Sequence, residues 1–138
     1  MISAISARGQ ISFRIVEGSI NTDRFIQFLE ALIEDAPRKI FLVVDNLRVH
    51  HAKRVTEWLA DKQHQIELVY LPPYAPESNP DEYLNRDFKT ALRTGAVSRH
   101  VEELKEKASA FMQMLCTMPD RVRAYFRHPA AAYAAQDI

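Results

Sequence analysis

Cysteine, glycine and net charge are all scarce in this sequence of 138 residues. Its single cysteine, Cys116, excludes an internal disulfide framework and a zinc site built from several cysteines, and it suits a reducing cytoplasm. Three glycines and seven prolines are too few for a flexible or fibrous chain, while 47% hydrophobic residues suffice for a packed core. The composition therefore predicts one globular domain.

The charge balance limits how the chain could meet nucleic acid or a membrane. Lys plus Arg number 18 and Asp plus Glu number 18, so any contact with nucleic acid must use a local basic patch. No apolar stretch reaches the roughly 18 to 20 residues of a membrane span. The N-terminal segment also lacks the basic leader and apolar core of a signal peptide. We therefore expect a soluble, cytoplasmic protein with no membrane partner.

Apolar periodicity predicts an α/β arrangement in the first part of the chain. Two short strands around the turn "ARGQ" predict a hairpin within residues 2–18, and an amphipathic helix follows with Asn21 or Thr22 as its cap. The unbroken apolar run of "KIFLVVDN" predicts a strand buried on both faces. A further helix and the strand "IELVYLP" then predict a parallel pair joined by a right-handed crossover.

The second part of the chain is predicted to be helical. A helix follows Asn79, with Pro80 in its first turn, and Ser98 is placed to cap a helix over residues 99–118. A last short helix precedes an Ala-rich end that we expect to be frayed. We thus expect an α/β core over residues 1–97 and C-terminal helices over residues 98–138.

Asp45 ends the buried strand, and two interpretations of it are open. Carboxyl ends of strands in open α/β sheets are where ligands bind, which favours a ligand role. Asp45 and Asn46 could equally cap the following helix. His50 and His51 open that helix, but adjacent residues point to different faces and cannot both chelate one ion in the usual way.

A proline-rich segment, "LPPYAPESNPDEYLNRDFK", supplies a second candidate acid. It starts beside the end of the Asp45 strand and leads into a helix whose first turn carries Asp81 and Glu82. Carboxylates in this position are often only partners of the helix dipole. A loop so constrained by prolines, delivering Glu82 toward Asp45, favours chelation of Mg²⁺ or Mn²⁺.

The two segments "VVDNLRVHHAKRV" and "LPPYAPESNPDEYLNRDFK" together resemble the catalytic core of insertion-sequence transposases of the Tc/mariner-like group. These are DDE superfamily endonucleases with a ribonuclease H-like fold, a mixed sheet flanked by helices. The resemblance implies DNA cleavage and strand transfer by metal-dependent phosphoryl transfer in DNA transposition, with terminal inverted repeats and target DNA as partners. It extends from the hairpin to about Arg93.

Residue by residue, the resemblance implies that Asp45 and Glu82 are catalytic metal ligands for Mg²⁺ or Mn²⁺. Asn46 and His50 fall beside the active site in supporting roles, and Asn79 shapes the turn that presents Glu82. Asp81 stands where many members carry an apolar residue, so it competes with Glu82 as the ligand.

The family's first catalytic aspartate has no counterpart in this sequence. It belongs on a central first strand, whereas this sequence starts inside the hairpin that follows that strand. We therefore expect a partial catalytic domain over residues 1–138 with an interrupted sheet and exposed strand edges. Such a chain would be inactive alone, and whether it counts as an enzyme is open. It could form a homodimer or pair with a full-length transposase.

Two non-catalytic interpretations compete with this one. Arg86, Lys89 and Arg93 recur at helical spacing and could follow DNA phosphates, although a solvated helix face explains them equally simply. The chain would then be a DNA-binding or transposase-interacting remnant. Alternatively the C-terminal helices could drive association through an apolar stripe, which core packing explains most simply; its members are Phe111, Met114, Leu115 and Met118.

Overall fold

The structure, a computed structural model that describes residues 1–45, 52–72, 76–94 and 100–135, begins with the predicted hairpin. Strand β1 (Ile2–Ile5) pairs with strand β2 (Ile11–Arg14). In the turn, Ser6 N donates to Gln10 O at 3.0 Å and Gly9 N donates to Ser6 O at 2.9 Å. Gly9 has a φ of 89°, a backbone angle that residues with a side chain rarely adopt, so this turn favours glycine.

Two helices and two strands follow in alternation. Helix α1 (Thr22–Asp35) begins at Asn21, whose Oδ1 accepts a hydrogen bond from Arg24 N at 2.9 Å. This is the predicted cap, and it satisfies one of the free N–H groups of the first turn. Strand β3 (Ile40–Val44), helix α2 (Lys53–Leu59) and strand β4 (Ile66–Tyr70) complete the series.

Strands β3 and β4 are parallel, as predicted, with Ile40 opposite Ile66 and Val44 opposite Tyr70. Ile40 N donates to Gln65 O at 3.0 Å, and Leu71 N donates to Val44 O at 2.8 Å. In a parallel pair these bonds recur at every second residue, so the peptide groups of the intervening β3 residues point to its other edge. Among the described strands β3 pairs only with β4, and β1 only with β2. This agrees with the predicted interruption of the sheet, while pairing with a second chain stays a prediction.

The prediction that β3 is buried on both faces was wrong. Ile40, Leu42 and Val44 lie on one face and pack with helices α1 and α2 around Leu29. Phe41 lies on the other face and is 47% exposed. An unbroken apolar run therefore does not distinguish a strand covered on both sides from one covered on a single side.

Three helices form the second half of the described chain: α3 (Pro80–Arg93), α4 (Val101–Cys116) and α5 (Pro119–Tyr125). Their core is centred on Leu84, Met112 and Leu115, and hairpin residues pack against it. The predicted cap Ser98 lies outside the described residues. Residues Ala132–Ala135 form a 3₁₀ turn after the fully buried Ala131, so this part of the Ala-rich end is ordered and not frayed as predicted.

The predicted apolar stripe, which begins on α4 and extends past its end to Met118, is only partly buried. Leu115 is buried and Phe111 half-buried, whereas Met114 and Met118 are 40% and 39% exposed. The buried position next to Phe111 is taken by Met112, so the inward face of α4 is rotated by about one residue from the predicted stripe.

The described chain divides into two compact units. The hairpin unit comprises Met1, Ser3–Ile15 and Pro80–Ile138, and the β3–β4 unit comprises Ile2 and Val16–Asn79. The division of one partial catalytic domain at residue 97 stays a prediction. Within the described ranges, every helix is too short or too polar to cross a membrane.

Two glycines give a matched test of the hairpin turn. A Cβ added at Gly9 would lie 2.7 Å from both Cβ and the carbonyl oxygen of Pro119, while one added at Gly18 would meet nothing within 4 Å. Both glycines have positive φ, 89° and 74°. We expect Gly18→Ala to lower the free energy of unfolding by about 1 kcal/mol and Gly9→Ala by about 3 kcal/mol, because only the second adds a steric overlap to the backbone strain. Urea denaturation measures both, and equal losses would contradict the packing of the turn on Pro119.

Candidate functional site

Asp45 directly follows β3, at the carboxyl end of the parallel pair. The residue is half-buried and its Oδ1 is shielded from solvent. The hydrogen bond from Leu71 N to Val44 O extends the β3–β4 pairing up to this point, so the chain after β4 starts beside Asp45. Ligands of α/β proteins commonly bind at this edge of the sheet.

The alternative role of Asp45, as cap of the next helix, does not fit the described helix. Helix α2 begins at Lys53, and its N-cap position is occupied by Ala52, which makes no side-chain cap hydrogen bond. Asp45 therefore does not cap α2, and its role as a metal ligand stays a prediction. The supporting candidates Asn46 and His50, together with His51, lie outside the described residues.

The two adjacent acids in the first turn of α3 have different surroundings. Ser3 Oγ on β1 donates to Oδ1 and Oδ2 of Asp81, at 2.8 and 3.1 Å. Glu82 is half-buried, and its carboxylate makes no hydrogen bond or ion pair with any other residue that the structure describes. Asn79 is half-buried just before the helix, and Pro80 is buried in its first turn, where the missing N–H costs nothing. The choice of Glu82 over Asp81 as the metal ligand stays a prediction.

The middle of α3 is fixed by a cluster around Asp87. Its Oδ2 accepts hydrogen bonds from Tyr125 OH at 2.5 Å, Arg121 Nε at 3.3 Å and Arg121 Nη2 at 3.2 Å. Burial, followed by the neighbouring Asp87 carboxylate, raises the pKa of Tyr125. Helix α5 is thereby joined to α3 by a charge-assisted network.

The predicted basic stripe is exposed along α3. Arg86, Lys89 and Arg93 are all exposed, and none forms an ion pair with another described residue. The Arg86 guanidinium lies 5.2 Å from the centroid of the Tyr83 ring, which stacks on His128 at 3.7 Å. These cations are therefore accessible to an anionic partner.

Sequence reasoning missed Ser3, Arg121 and Tyr125. Ser3 and Asp81 are 78 positions apart, and Tyr125 lies 38 positions from Asp87. No local spacing rule connects residues so far apart in the chain. The one available signal was the amphipathic pattern of α5, which places Val122 and Tyr125 on its buried face.

The two proposed metal ligands lie in different units, Asp45 in the β3–β4 unit and Glu82 in the hairpin unit. Among the described residues there is no group of three or more His, Cys, Asp or Glu side chains that could hold a metal ion. Both acids offer the hard oxygen donors that Mg²⁺ and Mn²⁺ prefer.

Comparison with known proteins identifies the family. Residues 1–105 match the sequence model of the family described as "DDE superfamily endonuclease", and this range contains both Asp45 and Glu82. The chain belongs to the DDE superfamily endonucleases. No curated protein matches its sequence.

Solved structures place this DDE superfamily chain in a known fold. It is similar to the crystal structure of the catalytic domain of Mos1 mariner transposase, with a TM-score of 0.60 and 16% sequence identity. The match covers 93% of this chain and 69% of that one. A structure of the Mos1 transposase catalytic domain with raltegravir and Mg matches equally, over 93% of this chain and 70% of that one. The predicted mixed α/β, ribonuclease H-like fold is confirmed.

The Asp87 cluster predicts a pH-dependent contribution of Tyr125. We expect Tyr125→Phe to lower the free energy of unfolding by about 1 kcal/mol at pH 8, because Asp87 is partly exposed and the lost hydrogen bond is partly replaced by water. The raised pKa means that the folded chain keeps this proton after the unfolded chain loses it, above the ordinary value of 10.0. The contribution of Tyr125 to the free energy of unfolding is therefore complete below about pH 10 and declines above it.

Urea denaturation of the two proteins at pH 8 and pH 11 measures this effect. The stability difference between them should narrow at pH 11. Tyr70 and Tyr133, whose pKa values are also raised by burial, are present in both proteins and cancel in the difference. A difference that stays constant would show that the hydroxyl proton of Tyr125 does not contribute through Asp87.

Proposed function

We propose that this chain is a transposase catalytic-domain fragment for DNA cleavage and strand transfer, with Asp45 and Glu82 as ligands of Mg²⁺ or Mn²⁺. The single observation that carries the proposal is the state of Glu82, a half-buried residue whose carboxylate has no hydrogen-bond or ion-pair partner among the described residues. Glu82 lies within the range that matches the DDE superfamily endonucleases, and a carboxylate without a protein partner there favours a divalent cation, which prefers oxygen ligands, as its partner.

Each of these residues would have its own role in such a site. Asp45 would present a rigid carboxylate from the end of a paired strand, and Glu82 would present a second one from the start of α3. Divalent ions bound there would activate a nucleophile and stabilise the leaving oxygen in phosphoryl transfer. Asn79, which precedes the helix, would shape the turn that leads to Glu82, and Asn46 and His50 would support the substrate.

We further propose that the chain alone cleaves DNA little or not at all. The support is that the described residues contain no group of three or more His, Cys, Asp or Glu side chains that could hold a metal ion. Mg²⁺-dependent nicking of inverted-repeat DNA by the purified chain, abolished by Asp45→Ala, would contradict this part of the proposal.

Metal binding tests the two ligands directly. We expect Asp45→Asn and Glu82→Gln each to weaken Mn²⁺ binding by more than roughly tenfold, since even the outer partners of metal ligands cost that much when removed. Electron paramagnetic resonance of free Mn²⁺ measures the affinity. Asp35→Asn and Glu102→Gln are matched controls, because Asp35 is an exposed aspartate and Glu102 an exposed glutamate in the first helical turn of α4. If Asp45→Asn and Glu82→Gln lost no more Mn²⁺ affinity than the controls, neither acid would be a metal ligand.

DNA is the proposed partner, both as terminal inverted repeats and as target. The basic stripe supports this, because its three cations are exposed and lack ion-pair partners among the described residues. The same stripe would serve a non-catalytic DNA-binding remnant, which is the alternative function. Activity and binding are therefore tested separately.

Salt titration distinguishes a DNA-binding stripe from a solvated helix face. Each of Arg86→Ala, Lys89→Ala and Arg93→Ala should reduce the slope of log affinity against log salt by about 1, because one phosphate contact is lost. Arg38→Ala, which removes an exposed cation outside the stripe, should leave the slope unchanged. Fluorescence anisotropy with nonspecific duplex DNA measures the slopes. Equal slopes for all four variants would show that the stripe does not contact DNA phosphates.

A further inference from the structure

The adjacent acids Asp81 and Glu82 at the start of α3 differ in their hydrogen bonds. Both oxygens of Asp81 accept from the Ser3 hydroxyl, at 2.8 and 3.1 Å. Glu82, one residue later, has no hydrogen bond or ion pair to any part of the chain that the structure describes. The first turn of α3 is thus tied to β1 by one acid while the next acid stays available.

The helix geometry couples these two side chains. Successive residues leave an α-helix about 100° apart around its axis, so fixing the direction of Asp81 also fixes the direction in which Glu82 leaves the helix. The first turn is the part that most needs such a fixation, because its N–H groups lack intrahelical partners and helix ends fray.

Two further polar anchors of α3 lie further along the helix. Asp87 is bound by Arg121 and Tyr125 more than a turn beyond Glu82, and Lys107 Nζ donates to Leu92 O and Thr94 O at the carboxyl end. Ser3 is therefore an anchor of the first turn of α3, the turn that carries Glu82.

We propose that Ser3 is a positioning residue which, through Asp81, orients Glu82 toward a divalent cation. This rests on the proposed function, in which Glu82 is a metal ligand. It also assigns the roles of the two acids: Asp81 holds the helix and Glu82 binds the ion.

A double-mutant cycle tests this positioning role. Mn²⁺ affinity, measured by electron paramagnetic resonance, should fall about tenfold in Ser3→Ala and in Asp81→Ala, as it does when outer partners of metal ligands are lost. The double variant should lose no more than Asp81→Ala alone, because Ser3 acts through Asp81. Ser3→Thr keeps a hydroxyl and suits a strand, so it should retain the affinity of the unaltered chain. Circular dichroism verifies that each variant is folded at the assay temperature.

The possible outcomes separate this inference from the proposed function. If Glu82→Gln weakens Mn²⁺ binding while Ser3→Ala only lowers the melting temperature, the contact is merely structural and the positioning role is overturned alone. If Ser3→Ala strengthens binding, the released Asp81 is itself a ligand, which also overturns it. If Glu82→Gln leaves Mn²⁺ binding unchanged, the proposed metal site and this inference fail together.

Discussion

Helix α3 is held by side-chain hydrogen bonds to three other elements, and the candidate chemistry of the hairpin unit depends on this constraint. Ser3 binds Asp81 in its first turn, Arg121 and Tyr125 of α5 bind the central Asp87, and Lys107 of α4 binds the last carbonyls. The proposed metal ligand and the basic stripe are both carried by this helix. Their directions in space are therefore set by contacts that themselves take no part in chemistry.

Apolar packing alone would not set those directions. Leu84, which is fully buried, contributes about 2 kcal/mol by burial and holds α3 against α4, but the hydrophobic effect has no directional preference. A hydrogen bond contributes less, about 1 kcal/mol net, yet its distance and angle requirements are narrow. Packing therefore determines that α3 docks in the hairpin unit, and the polar contacts determine its rotation and sliding along its own axis.

This division also explains which features could be predicted from sequence. The Asn21 cap, the helix that it begins and the parallel β3–β4 pair all follow from local patterns, and all were confirmed. The exposure of Phe41 and the hydrogen bond from Ser3 to Asp81 depend on what other elements cover or approach a residue. A single sequence contains no local signal for such encounters. The candidate ligands were found through a family motif, and the residues that position them were not.

Asp45 is positioned by a different device from Glu82. Its direction follows from the register of β3 on β4, in which Val44 is opposite Tyr70 and accepts a hydrogen bond from Leu71 N. Side chains alternate along a strand, so a slip of one residue would turn Asp45 to the opposite face of the sheet. The register is specified because such a slip would also remove Leu42 and Val44 from the core. Burial of one face of β3 thus fixes the direction of Asp45, whereas hydrogen bonds at the start of α3 fix the direction of Glu82. The direction of Glu82 is therefore the more sensitive of the two to a single polar substitution.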